Sequence, residues 1–125
     1  MALDYDEARR QALAFVDAFN RRDLDAVMAG FHDKMAHQSS YVDRHQGREL
    51  SQVDGAQAYR EFLRWLWEQQ PPIRHVFDEV FTGPHGYAFL THFEHDATPV
   101  VFVRQVDADG LILSQRAYLA RPPAG

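Results

Sequence analysis

The hydropathy pattern of this chain changes period once, and that change limits the fold more than any other feature. Up to Pro71-Pro72 the apolar residues recur mainly at three- and four-residue steps; from Ile73 onward they form short alternating or continuous runs between turn residues. Helices followed by a strand meander predict an α+β domain, with helices packed on one face of a mostly antiparallel sheet. At 125 residues the chain has room for one core and not for two.

The helical part divides at its caps. Asp4 and Glu7 form a capping-box pattern, and Tyr5, Ala8, Ala12, Phe15, Val16 and Phe19 then predict a first helix ending near Asn20. Asp23 is placed to cap a second helix with the stripe Leu24, Val27, Met28 and Phe31. Lys34–Val42 reads as a strand. Asp54, with Gln57 three residues on, opens a third helix whose inner face is Ala56, Tyr59, Phe62, Leu63 and Leu66, and Pro71-Pro72 ends it.

Four further strands are expected: Ile73–Phe81, Tyr87–Asp96, Val100–Val106 and Leu111–Leu119. Asp107-Ala108-Asp109-Gly110 turns between the last two. Val100–Val106 is nearly continuously apolar, which predicts burial on both faces of its strand. Residues 121–125 read as a frayed tail.

Composition removes several classes of function. With no cysteine there is no disulfide, thiolate nucleophile or cysteine-held metal. No apolar run is long enough to span a bilayer, and the acidic Asp4-Tyr5-Asp6-Glu7 stretch is unlike a signal peptide. A cytoplasmic protein with no membrane partner is the expectation. Net charge is −5, and the arginine doublets Arg9-Arg10 and Arg21-Arg22 have acidic neighbours. No basic stripe forms, so no nucleic-acid partner is expected.

Three stretches carry a family resemblance. Phe15–Phe31 (FVDAFNRRDLDAVMAGF), Gly55–Leu66 (GAQAYREFLRWL) and Val103–Leu119 (VRQVDADGLILSQRAYL) together resemble the nuclear transport factor two-like superfamily, in its SnoaL-like and ketosteroid isomerase-like branch. The resemblance implies a single domain over 1–125, with three N-terminal helices in a strongly curved sheet, a cone-shaped α+β barrel. It further implies a small-molecule pocket at the open end, no cofactor, and a homodimer.

Fold does not carry function with it, so the family's reactive positions need checking singly. The tyrosine, aspartate base and second acid of ketosteroid isomerases fall here on Phe15, Ser39 and Pro99. The tyrosine–aspartate pair of scytalone dehydratase-like enzymes falls on Phe19 and Asn20. Their first histidine matches His75, and their second lies near His95. No Asp–Arg–Asp set like that of limonene epoxide hydrolases can be placed.

Strand parity sorts the remaining candidates. By resemblance, Tyr87, Phe89, Thr91, Phe93 and His95 face the cone interior, as do Met35, His37, Ser39 and Tyr41. Val101, Val103 and Gln105, then Gln115, Ala117 and Leu119, complete the set. His75, His37 and Ser39 are the candidates for catalysis. Phe15, Phe19, Met35, Phe89, Thr91, Phe93, Val101 and Gln115 are the candidates for ligand contact.

His75 leads because imidazole exchanges protons near neutrality; the plain alternative is a hydrogen-bonded strand histidine. His92 and His95 point to opposite faces of a strand, so no metal site is expected there. Two functions stay open: a cofactor-independent isomerase, dehydratase or cyclase using His75 for proton transfer, or a non-catalytic protein that binds a small apolar molecule or acts as a dimeric scaffold. A carboxylate or tyrosine within hydrogen-bond reach of His75 would favour the enzyme, and phenyl rings alone the binder. Val100 and Phe102, with Leu90 and Tyr118, are expected on the outer sheet face as a dimer surface.

Overall fold

A computed structural model describes residues 3–123. Helix α1 (Tyr5–Asn20) starts where the Asp4 side chain accepts the Glu7 amide at 2.8 Å, and it buries Ala8, Ala12, Phe15, Val16 and Phe19. Helix α2 (Leu24–Met28) starts at Asp23, whose carboxylate accepts the Ala26 amide. Strand β1 (Phe31–Gln38) follows, then helix α3 (Ser40–Gln46), the short strand β2 (Val53–Asp54) and helix α4 (Ala56–Leu66). Strands β3 (His75–Gly83), β4 (Gly86–Phe93), β5 (Pro99–Val106) and β6 (Ile112–Leu119) complete the chain.

The strands form one open, curved sheet in the order β2-β1-β6-β5-β4-β3, with only β1 and β6 parallel. α1 packs on β3, and α4 on β1. Their aromatic faces fill the concavity, so Tyr59, Phe62 and Phe89 are almost fully buried. The expected α+β cone is therefore the fold, with four differences in its parts.

First, β1 runs from Phe31 to Gln38, starting before and stopping short of the expected Lys34–Val42, and a fourth helix takes over. Ser39 causes the change: its hydroxyl accepts the Val42 amide at 3.2 Å and nucleates α3, which Gly47 ends at φ 72°. Second, Asp54 does not cap α4. It pairs with Ala36 in β2 and accepts from the Gln52 amide at 2.6 Å, while Gly55 stands at the N-cap without a side-chain bond.

Third, α4 ends at Leu66, well before the two prolines, with the Trp67 amide closing onto Leu63. The fourth difference concerns β5, which is not buried on both faces. Val100, Phe102, Arg104 and Val106 are inside, whereas Val101 and Val103 are 37% and 40% exposed. Cross-strand partners share a face, and β5 is locked to β4 by Thr91 opposite Val100, Phe89 opposite Phe102 and Tyr87 opposite Arg104. The expected inner set Val101, Val103 and Gln105 is therefore the outer one, and Val100 and Phe102 leave the expected dimer face. Of the expected tail, residues 121–123 follow β6 without regular structure, and 124–125 lie outside the described residues.

Candidate functional site

The concave face holds a narrow apolar pocket of about 40 Å³ between α1, α3, α4 and strands β1, β3, β4, β5 and β6. Phe15 and Phe19 from α1, Phe62 and Leu66 from α4, and Phe93 and Phe102 from the sheet form most of its wall. The polar residues on the wall are His37, Ser39, Tyr41, Tyr59 and His75; among the described residues no aspartate, glutamate, lysine or arginine lines it. This volume is far below the roughly 300–1,000 Å³ of drug-sized sites. A ligand of that size must part the rings.

His75 opens β3 and is held by its backbone. Asn20, the last residue of α1, accepts the His75 amide at 2.9 Å and donates to the His75 carbonyl at 2.7 Å. The amide thus docks the helix end onto the strand. The imidazole is 5% exposed and sits among Phe19, Phe102 and Phe93, with ring centroids 5.0, 5.2 and 5.4 Å away. Its side-chain hydrogen bond is Nδ1 to the Thr91 hydroxyl at 2.8 Å. Burial, aided by the nearby charge of Arg22, pushes its pKa down to about 3.

His37 is the second buried imidazole, 4% exposed. The Gln115 side chain fixes its protonation. Arg104 Nε donates to Gln115 Oε1 at 2.7 Å, so the amide nitrogen must face the other way, toward His37 Nδ1 at 3.2 Å and the Tyr59 hydroxyl at 3.1 Å. Nδ1 of neutral His37 is therefore an acceptor, and the proton rides on Nε2. Burial, with the charge of Arg104 adding to it, takes the His37 pKa down to about 3. Burial pushes the Tyr59 phenol up to about 12.

The other candidates divide. Ser39 reaches the pocket wall, but its oxygen caps α3 and no histidine hydrogen-bonds it. Tyr41 also lines the wall, from α3 and not from a strand. Phe15, Phe19 and Phe93 line the pocket. Met35, Phe89, Thr91 and Gln115 are fully buried behind it, and Val101 points to the opposite side of the sheet. His95 lies beyond the end of β4, stacked on Phe93 at 5.4 Å. His92 faces outward and bonds Asp78 at 2.8 Å. Among the described residues no three His, Asp or Glu side chains are grouped to hold a metal ion.

Sequence reasoning missed Arg104. It is 2% exposed, stacked over Phe15 and Phe89 at 4.5 and 4.8 Å. Its Nη1 donates to the Tyr87 hydroxyl at 2.8 Å, and that hydroxyl donates onward to Gln11 Oε1 at 2.9 Å. An arginine inside a valine-rich strand was the available signal, but parity alone could not say which way it faced.

A family model, the SnoaL-like domain, matches residues 12–114. The chain belongs to the SnoaL-like family. A SnoaL-like protein of unknown function from Burkholderia thailandensis superposes with a TM-score of 0.85 at 17% identity, covering 95% of this chain and 99% of its own. A protein from Agrobacterium tumefaciens, provisionally named an isomerase of the SnoaL-like family, gives 0.70 at 16% identity, with 93% and 99% coverage. A provisionally named ketosteroid isomerase from Kribbella flavida gives 0.67 at 17% identity, with 98% and 86% coverage. At these identities the likeness carries the fold alone. No curated protein matches the chain.

Proposed function

We propose that this protein binds a small, mainly apolar molecule bearing a carbonyl oxygen in the cone pocket, and that it does so without transferring a proton. The observation carrying this reading is the pairing of both pocket imidazoles with neutral partners, His75 with Thr91 and His37 with Gln115, on a wall that has no carboxylate. A general base works best when its pKa lies near the operating pH, and imidazoles held near 3 are far from that. With Nδ1 held as an acceptor by Gln115, His37 carries its proton on Nε2, a donor suited to a carbonyl.

A second reading, a cofactor-independent isomerase, dehydratase or cyclase, is favoured by the place of His75 in the pocket wall. It lacks the acid–base pair: neither a carboxylate nor a tyrosine hydrogen-bonds the ring. The experiment is an NMR titration with acetophenone. Saturable shifts of the His37 and His75 ring signals support binding; shifts confined to surface residues would remove the reading.

We further propose a homodimer through the outer sheet face. Leu90, Val101 and Tyr118 lie side by side across three strands, with Val103 and Phe81 flanking them. A second copy of the same apolar face is the occupant that would cover it. No helix is long and apolar enough to cross a membrane among the described residues.

A further inference from the structure

We propose that a second cavity, at the end of the molecule where α1 meets the β5–β6 hairpin, binds a small organic carboxylate. It has a volume of about 320 Å³ and is separate from the cone pocket, sharing with it only Phe15. Arg104 forms part of its wall, beside Phe15 and Phe31.

Arg104 is what requires an occupant. A guanidinium stays charged and offers five N–H donors. Here Nε is taken by Gln115 and Nη1 by Tyr87, both neutral, while Nη2 is buried with no hydrogen-bond partner. No described carboxylate forms an ion pair with it, although a buried charge is ordinarily paired. The aromatic rings around it, Phe15 at 4.5 Å and Phe31 at 5.3 Å, stabilise the cation and offer no acceptor.

The two acids on the cavity wall do not fill this role. Glu7 is bound by Arg10, whose Nε lies 2.8 Å from its Oε2. Asp109 is exposed on the hairpin turn, where only its backbone amide is bonded, to Asp107. The remaining wall is mixed. Gln11 and Arg10 are polar, while Val27, Phe31 and Ile112 are apolar. A planar carboxylate matches the guanidinium fork, and the apolar wall fits an attached hydrocarbon or aromatic body. The space is at the small end of ligand-binding cavities, which run from roughly 300 Å³ upward.

Sodium benzoate, its near-isosteric neutral counterpart acetophenone, and inorganic phosphate are titrated separately at constant ionic strength, with backbone and side-chain amides followed by NMR. Benzoate is expected to shift the Gln11 side-chain amide and the Gly30 and Gly110 amides saturably. Acetophenone and phosphate should bind there at least tenfold more weakly. Arg104→Met should weaken benzoate tenfold or more. Because that variant alters the core, Ala14→Trp serves as a second one: it crowds the cavity rim with Arg104 in place and should also weaken benzoate. Equal shifts of these amides by acetophenone, equal affinity for phosphate, benzoate shifts confined to the cone pocket, or unchanged benzoate binding in either folded variant would overturn the proposal. The readouts differ from those of the cone pocket, so one site can fail without the other.

Discussion

Arg104 Nε lies 2.7 Å from Gln115 Oε1, and this bond decides which nitrogen of His37 carries the proton. The guanidinium can only donate, so the Gln115 amide can take one orientation, and its NH₂ must face the imidazole and the Tyr59 hydroxyl. Replacing Gln115 by leucine leaves Arg104 Nε and His37 Nδ1 without partners. Unmet buried groups of this kind cost about 1–3 kcal/mol each. Urea unfolding should show a loss of about 2–6 kcal/mol for the two groups, and imidazole ¹⁵N spectra should lose the single Nε2–H tautomer. A Gln115→Leu variant that keeps both the stability and the tautomer would show that the network is idle.

The two buried histidines make stability pH-dependent in a defined window. Each has a folded pKa near 3 against an unfolded value near 6.5, so between these values the unfolded chain binds more protons than the folded one. Stability is then complete above pH 6.5 and falls as pH drops toward 3, by up to about 1.4 kcal/mol per pH unit for each histidine. Melting temperature against pH should show the decline, and a His37→Gln variant should show a shallower slope. A profile flat from pH 7 to 4.5 would contradict the buried, neutral state of both rings.

The Asn20 side chain both donates to and accepts from the His75 backbone. Asn20→Ala removes both bonds, and a loss of about 1–3 kcal/mol is expected, with the His75 ring signal displaced. Asn20→Asp keeps the acceptor for the His75 amide and sets a negative oxygen against its carbonyl. It should therefore be the less stable of the two below saturating salt. The opposite order would mean that the clamp does not hold the strand.

On the outer face, Val101 lies between Leu90 and Tyr118. Val101→Arg puts a charge into the proposed dimer contact without touching the core. Sedimentation should show wild-type dimers at micromolar concentration and monomers for the variant, with little change in far-ultraviolet circular dichroism. A wild-type monomer under those conditions would remove the dimer.

Much of this architecture was legible in the residues. α1 announced itself through Asp4 and the Ala8–Phe19 stripe, and the β4 alternation put Tyr87, Phe89, Thr91 and Phe93 inside, where they lie. Helix α3 was hidden because Ser39 caps it without the matching acid or glutamine three residues on, and its stretch, QSSYVD, reads equally as strand. β5 was misfaced because four successive apolar residues give no parity signal; only the pairing with β4 decides it. His75 and His37 could be nominated from sequence. Their neutral partners could not, since Thr91 and Gln115 are 16 and 78 residues away from them.

Binding without proton transfer at His75 is tested most directly by α-hydrogen exchange of acetophenone. The ketone is incubated with the protein in D₂O at pH 7, at concentrations that saturate the NMR shifts of the His37 and His75 rings, and deuterium entering its methyl group is followed by mass spectrometry. Saturable ring shifts are expected with exchange no faster than in buffer, and the same exchange rate for His75→Ala. Exchange accelerated by the wild-type protein and abolished in His75→Ala would contradict binding without proton transfer and make His75 a catalytic base.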